Sequence, residues 1–250
     1  MGVTDSTEDG FLDGRVRVRQ FMHGFRSGLD AVMLAAAVPA CASERVLELG
    51  AGAGVASLCL AARVPGYTIA GVEIDRELVS LANENAAANG TSDRVRFVHG
   101  DVLNLPPGLR ASFEHVMCNP PFHGEEGEMS PDGSRTKALH DTGDLSRWLE
   151  IGTKRTALNG TFTIILRADR LNQALGALPD HGVSVFPLWP KRGAPAKRVI
   201  VEVRQGSRAP FTLLPGLVLH EADGRYTAEA NAVLRGLSAL TFNSAERRRG

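Results

Sequence analysis

Short apolar strands and amphipathic helices alternate along most of the chain. The predicted strands span residues 15–20, 45–49, 67–73, 95–99, 113–118 and 161–167. The predicted helices span residues 29–40, 55–63, 77–89 and 145–158. Strands and helices that alternate at these lengths build a mostly parallel sheet with helices on both faces, because right-handed crossovers return each strand to the same sheet. The fold class is therefore predicted to be α/β.

The last third of the chain departs from this alternation. Strands at 183–188 and 198–204 are joined by a basic, proline-containing turn and predict an antiparallel hairpin. With this C-terminal hairpin, the central sheet is predicted to have seven strands. A further strand at 217–220 and a helix at 228–237 complete the predicted elements.

Composition and charge narrow the class of protein. The 250 residues have a formal net charge of zero, so a nucleic-acid partner would have to be met by a local basic patch. There is no apolar segment typical of a signal peptide or membrane span, and the three cysteines lack a paired or metal-ligand spacing. We expect a cytoplasmic protein without a metal site. We also expect one domain over residues 14–243, between a flexible polar tail (1–13) and a basic tail (244–250).

Three glycines, Gly50, Gly52 and Gly54, follow the first buried strand. Glycine permits a positive φ and a close approach of the backbone to a ligand, and the next helix directs its first N–H groups there. The Gly-x-Gly-x-Gly spacing differs from the Gly-x-Gly-x-x-Gly of NAD-dependent dehydrogenases. Glu48 before the turn would repel a pyrophosphate but suits a cation. With Ala51, these residues predict a site for S-adenosylmethionine, which has an ammonium, a sulfonium and no phosphate.

Acidic side chains also follow the next two strands of the alternation. Glu73 is predicted to hold ribose hydroxyls at the end of its strand, and Ile74 to lie against the adenine ring of the cofactor. Asp75 is predicted to cap the following helix instead. Asp101, with Val102 beside it, is placed to accept from the adenine amino group. All of these strands end at one edge of a parallel sheet, so a single cofactor site is predicted there.

The segment Asn119-Pro120-Pro121-Phe122 stands directly after the predicted strand at 113–118, at the same edge. An amino group on an aromatic ring is a poor nucleophile, because its lone pair is delocalised into the ring. The Asn119 side-chain oxygen and the Pro120 carbonyl are two acceptors for its N–H groups, and the prolines stiffen the backbone that carries them. Phe122 offers a ring on which a base can stack. We predict methyl transfer to a planar nitrogen, with these three as catalytic residues.

With these motifs, the chain resembles the class I, Rossmann-like methyltransferases with a small domain, and most of all the bacterial valine-tRNA adenine-N6 methyltransferases. The resemblance runs from about Gly14 to Leu237. It includes the segments 20–30, 138–141 and 214–227, of which the last is the most specific for the subgroup. It implies an RNA substrate, tRNA near the anticodon, with the target adenine held by Asn119, Pro120 and Phe122. It also implies a cofactor surrounded by Glu48, Gly50, Gly52, Glu73, Asp101 and Asn119.

The C-terminal hairpin supplies the candidate RNA-binding surface. From Lys191 to Arg208 there are six basic residues and one acidic residue, Glu202. Lys191, Arg192, Lys197 and Arg198 are the predicted phosphate contacts, together with Phe122 for the base.

Several alternatives stay open at this point. The same asparagine and prolines would suit a glutamine amide in a protein, the adenine-N6 of DNA, or the guanine-N2 of rRNA, whose methyltransferases share Asn-Pro-Pro-Phe-His. From a different class, the chain could be a cofactor-binding scaffold that has lost activity, although Asn119 and Glu73 are intact. The sequence assigns no role to His123 or His140 and does not indicate an oligomeric state.

Overall fold

The computed structural model describes residues 5–121 and 145–242. The strands are β1 (Ser6–Phe11), β2 (Val16–Phe21), β3 (Arg45–Leu49), β4 (Thr68–Glu73), β5 (Val95–His99), β6 (Phe113–Cys118), β7 (Thr156–Arg167), β8 (Val183–Lys191), β9 (Arg198–Arg204), β10 (Thr212–Leu213) and β11 (Leu217–His220). The α-helices are α1 (Leu29–Ala37), α2 (Val55–Arg63), α3 (Arg76–Ala88), α4 (Leu145–Arg155), α5 (Leu171–Leu175) and α6 (Ala228–Leu234).

Within these residues the central sheet contains the seven predicted strands and two short additional ones, nine in all. Seven strands follow the order β5-β4-β3-β6-β7-β9-β8, and the short β10 and β11 both pair with the outer side of β8. Neighbours from β5 to β7 are parallel, whereas β9 is antiparallel to both β7 and β8. The mostly parallel α/β sheet and its antiparallel C-terminal hairpin are therefore confirmed.

Helices cover both faces of the sheet. The helices α1, α2, α3 and α6 pack on one face, and α4 and α5 pack on the other. All residues from Ala31 to Ala37 of α1 are buried, because this helix contacts α2 and α6 as well as the sheet. That position explains its almost entirely apolar sequence. Within the described ranges, no helix is long and apolar enough to cross a membrane.

The N-terminal segment is the main correction to the predicted elements. The flexible tail expected over residues 1–13 is wrong for the described part, because β1 pairs antiparallel with β2 along its whole length. Leu12 at the turn is 1% exposed and anchors the hairpin in the core. The polar residues of β1 face solvent, so its sequence lacks the apolar alternation that identifies a strand.

Several element ends also differ from the prediction. The helix expected over 145–158 ends at Arg155, and β7 begins at the next residue. Gly160 lies inside β7 rather than ending a helix: a Cβ there would stand 2.3 Å from the carbonyl oxygen of Glu114 on β6. A glycine is required at this position because two backbones approach closely. At the other end of the sheet, β8 continues to Lys191, beyond the predicted end at 188.

Candidate active site

The register of the sheet brings the predicted site residues to one edge. The last residue of β3 pairs with Val72 of β4 and with Cys118 of β6. Gly50, Glu73 and Asn119 are the next residues of the three strands, and they therefore lie side by side where the strands end. This is the edge at which ligands bind in open α/β sheets.

The glycine turn has the conformation that its sequence predicts. Gly50, Gly52 and Gly54 have φ values of 70°, 55° and 86°, and Gly54 is the N-cap of α2. The N–H groups of Gly50 and Ala51 donate to the Val72 carbonyl at 2.9 and 3.0 Å. The turn is thereby fixed to β4, and all three glycines adopt a backbone conformation that other residues rarely adopt.

The three glycines differ in what surrounds them. A Cβ at Gly50 would stand 2.7 Å from the ring of Trp148, and one at Gly54 would stand 2.6 Å from the ring of Phe97. Around the equivalent position at Gly52, no atom from elsewhere in the described part of the chain lies within 4 Å. The middle of the turn therefore faces open space on the side where a ligand can approach.

Glu73 is held in place by the turn that it faces. One carboxylate oxygen accepts from the Gly52 N–H at 2.8 Å, and the other accepts from the N–H groups of Ile74 and Asp75 at 2.8 and 3.0 Å. A carboxylate has about four acceptor positions, so three backbone bonds leave room for a ligand hydroxyl. Ile74 beside it is 41% exposed, an apolar surface next to the glycine turn. Asp75 caps α3 as predicted, accepting from Glu77 and Leu78.

Glu48 lies deeper, on β3 behind the glycine turn, and is 4% exposed. The Ser57 hydroxyl on α2 donates to its carboxyl group. Burial raises the pKa of Glu48 to about 8, and the nearby charge of Glu73 adds to that effect although the Ser57 hydrogen bonds oppose it. A buried carboxyl in this position gains a counter-ion when a cation approaches the turn.

Asp101 and Val102 follow β5 at the same edge. The carboxylate of Asp101 is partly exposed and accepts from the Leu103 N–H at 2.8 Å, which fixes the turn. The side chain of Val102 is 5% exposed and packs in the core against the α4 face of the sheet. Of this pair, Asp101 therefore offers its side chain to a ligand, whereas the buried side chain of Val102 holds the backbone in place.

Asn119 has the most informative side chain at this edge. Its Oδ1 atom is buried and, within the described part of the chain, has no hydrogen-bond partner. A buried carbonyl oxygen without a partner costs about 1–3 kcal/mol, which a bound donor recovers. Pro120 is buried beside it, and Phe122 and His123 lie outside the described residues, as do 138–141. Burial raises the pKa of the neighbouring Cys118 thiol above its usual range, so this cysteine is no nucleophile.

The basic hairpin lies at the same edge of the sheet, because β8 is parallel to β7 and the β8–β9 turn follows it. Lys191, Arg192 and Lys197 are exposed. The guanidinium of Arg198 instead pairs with Asp30 at the start of α1, at 2.8 Å. The cations that face solvent in this turn are therefore the first three, and Arg198 links the hairpin to α1.

Comparison with known proteins decides the family. The methyltransferase small domain model matches residues 28–133. A protein from Vibrio campbellii named tRNA1(Val) (adenine(37)-N6)-methyltransferase is 30% identical over 83% of this chain and 89% of its own length. A protein of the same name from Porphyromonas gingivalis is 30% identical over 88% of this chain and 91% of its own. The chain belongs to this methyltransferase family.

A solved structure supports the fold of the family member. A predicted O-methyltransferase from Agrobacterium tumefaciens superposes with a TM-score of 0.71 at 24% identity, over 84% of this chain and 98% of that chain. At that identity, the likeness concerns the fold alone.

The residues at the edge fit S-adenosylmethionine, the cofactor of methyltransferases. The open space at Gly52 gives access to the turn, Glu73 offers a fixed carboxylate, and Ile74 offers an exposed apolar face. Glu48 is a buried carboxyl without a counter-ion among its described contacts. A cation, a ribose and a flat aromatic ring are the groups that such a set accommodates.

Two further residues shape this methyltransferase site, and the sequence analysis missed both. Trp148 of α4 is 5% exposed and packs onto Gly50, closing the turn from the α4 face. Asn85 of α3 is 1% exposed and joins the N-terminal hairpin to the glycine turn. Its side chain accepts from the Arg19 N–H at 2.9 Å and donates to the Arg19 and Ala53 carbonyls at 3.0 and 3.1 Å. The sequence signal that could have revealed Asn85 is its polar side chain on the otherwise apolar face of α3, since a buried amide there needs hydrogen-bond partners.

Proposed function

We propose that the protein transfers a methyl group from S-adenosylmethionine to the N6 amino group of an adenine in tRNA, near the anticodon. The relatives that share most of its length are named tRNA1(Val) (adenine(37)-N6)-methyltransferases. The observation that carries the proposal is the buried Oδ1 of Asn119 beside the glycine turn, which has no hydrogen-bond partner among residues 5–121 and 145–242. Such an oxygen fits a methyl acceptor whose amino group carries two N–H donors.

The residues of the chain act by orienting the target nitrogen. Asn119 Oδ1 accepts one N–H of the adenine amino group, and the carbonyl of Pro120 accepts the other. Two acceptors on one side bias the nitrogen away from the plane of the ring, so that its lone pair points toward the glycine turn. When bound, the cofactor supplies an electrophilic methyl group on its sulfonium. The rate gain comes from proximity and orientation, and no strong base is needed because the nitrogen proton becomes acidic after methylation.

The remaining site residues hold the cofactor in this proposal. Glu73 binds the ribose hydroxyls, Ile74 covers one face of the adenine ring and Asp101 accepts from its amino group. Glu48 balances the positive charge near the turn. The target adenine leaves its stack to reach Asn119, with Phe122 proposed as its stacking partner. We place the enzyme in the cytoplasm, as one catalytic domain without a metal.

Substitution of Asn119 tests this assignment. Asn119→Ala should lower the rate of methyl transfer about 100-fold or more, since positioning and polarisation of a reacting group contribute at least that much. Cofactor affinity should stay within about three-fold of wild type, because Asn119 acts on the acceptor. Asn231→Ala, at an exposed position of α6, is the matched control. A loss of cofactor affinity as large as that of Glu73→Ala would contradict the role given to Asn119.

A further inference from the structure

The segment 214–227 is one of those on which the family resemblance rests, and it has no part in the methyl-transfer site described above. Its strand β11 pairs with the last residues of β8, and the turn after it is closed by the Glu221 N–H donating to the Arg225 carbonyl at 2.8 Å. Thr227 caps α6 by accepting from Ala230 and donates to the Val218 carbonyl at 2.7 Å. The backbone of the segment is therefore tied by hydrogen bonds both at its turn and at the start of α6.

This unit presents a stacked pair of rings. The rings of His220 and Tyr226 lie 4.7 Å apart between centroids, with an angle of 26° between their planes. The Nδ1 atom of His220 is 3.1 Å from the Pro190 carbonyl, which only accepts, so Nδ1 carries the proton and the ring is fixed. Tyr226 is 45% exposed although one face lies on His220. Its other face is an aromatic surface that solvent reaches.

The pair lies at the same sheet edge as Asn119. The strand order from β6 runs through β7, β9 and β8 to β11, which is four strand spacings of about 4.8 Å, or about 19 Å in all. An RNA strand whose adenine enters the site at Asn119 can therefore reach Tyr226 with a nucleotide close to the target. This step rests on the proposed function.

Charged residues beside the rings favour a nucleotide over an apolar ligand. Lys191 pairs in register with His220 on the neighbouring strand, and Arg192 follows it. Both line a cleft of about 670 Å³ together with His220, Glu221 and Glu229, and Tyr226 stands just outside this lining. Two cations and two carboxylates balance, so phosphate attraction alone does not explain the cleft. A ring that stacks and charged groups that hydrogen-bond a base and its phosphate are the combination that an unpaired nucleotide uses.

We propose that Tyr226, supported from behind by His220, is a stacking platform for one unpaired base of the RNA substrate other than the methylated adenine. Lys191 and Arg192 contact the phosphates next to that base. The segment thereby contributes to choosing which RNA is methylated, while Asn119 chooses the reacting nitrogen.

The first test compares substitutions of the platform in steady-state methylation of a tRNA transcript. Tyr226→Ala should raise KM for the transcript about ten-fold, since the variant loses the stacking of one base and a factor of ten corresponds to about 1.4 kcal/mol. The value of kcat and the affinity for the cofactor should stay unchanged. Tyr226→Phe should restore the wild-type KM, because it keeps the ring. Phe211→Ala, at a ring of similar exposure (47%), should leave KM unaltered.

The second test identifies the stacked base. Transcripts in which each unpaired nucleotide near the target adenine is abasic in turn are compared with wild type and Tyr226→Ala. At one position, the abasic change should raise KM in wild type and have no further effect in the variant, as coupled groups do. An unchanged KM in Tyr226→Ala, a Tyr226→Phe variant as weak as Tyr226→Ala, or additive losses at every position would overturn the proposal. If wild type methylates no RNA at all, the proposed function fails instead.

Discussion

Replacing Glu48 by glutamine should change how the stability of the protein depends on pH. Burial raises the pKa of Glu48 to about 8 in the folded chain, against an ordinary value of 4.5. Between these two values, the unfolded chain has released the proton that the folded chain still binds. Stability must therefore fall as pH rises through this window and level off above the folded pKa. A glutamine side chain at this position has no proton to release and still accepts from the Ser57 hydroxyl.

The size of the effect follows from the shift. Each unit of pKa difference corresponds to about 1.4 kcal/mol, so the whole window from 4.5 to 8 is worth about 5 kcal/mol. Between pH 5.5 and 7.5, the Glu48 contribution should decline by about 3 kcal/mol. For a chain of this length that corresponds to roughly 6–12 °C in Tm.

Urea unfolding of wild type and Glu48→Gln across this pH range measures the effect, with the difference between the two proteins as the readout. That difference should grow with pH, in favour of the variant, because the other groups cancel. Glu202→Gln is the matched control, since burial raises the pKa of Glu202 only to about 7 and its difference should level off there. A Glu48→Gln difference that is constant with pH would refute the reasoning. Glu48→Gln should also bind the cofactor more weakly, having lost the carboxylate.

The remaining predictions concern the glycine turn and its support. Gly54→Ala should destabilise the fold severely, because its φ is 86° and the new Cβ would lie 2.6 Å from the Phe97 ring. Gly52→Ala should cost only about 1 kcal/mol of stability and should impair cofactor binding. Thermal unfolding should give a lower Tm for Gly54→Ala than for Gly52→Ala, and calorimetry should show weaker cofactor binding by Gly52→Ala. Equal Tm values for the two variants would be inconsistent with the open space at Gly52. Asn85→Ala should lower the unfolding free energy by about 3 kcal/mol, since one buried and two partly buried hydrogen bonds are lost, and should weaken cofactor binding as the turn loosens. An Asn85→Ala protein with wild-type melting would show that the bridge is unimportant.

The parallel part of the fold follows from the sequence because each element carries its own signal. The strands β3, β4 and β6 are buried on both faces and read as apolar runs, and glycines mark the turn after β3. The N-terminal hairpin carries a strand signal only in β2, where apolar and polar residues alternate. Its first strand is polar and exposed, and it depends on the anchoring of Leu12 and on Asn85, which belongs to a distant helix.

The candidate site likewise contains residues that the sequence could predict and residues that it could not. Glu73 and Asn119 were predictable because each ends a strand of one parallel sheet, which fixes their common edge. Trp148 could not be placed, since nothing local says that a tryptophan of α4 packs onto Gly50. The ion pair of Arg198 with Asp30 likewise joins residues far apart in the chain, so the predicted set of phosphate contacts included one cation that is already paired.

The identity of the methylated atom tests the central claim most directly. The wild-type protein and labelled S-adenosylmethionine are incubated in separate reactions with tRNA, rRNA, DNA or a protein extract. Each acceptor is then digested and the modified unit is identified. Label should appear in tRNA as N6-methyladenosine and disappear with Asn119→Ala. Label found only in protein glutamine, in guanine-N2 of rRNA or in DNA, or in no acceptor, would contradict adenine-N6 methylation of tRNA.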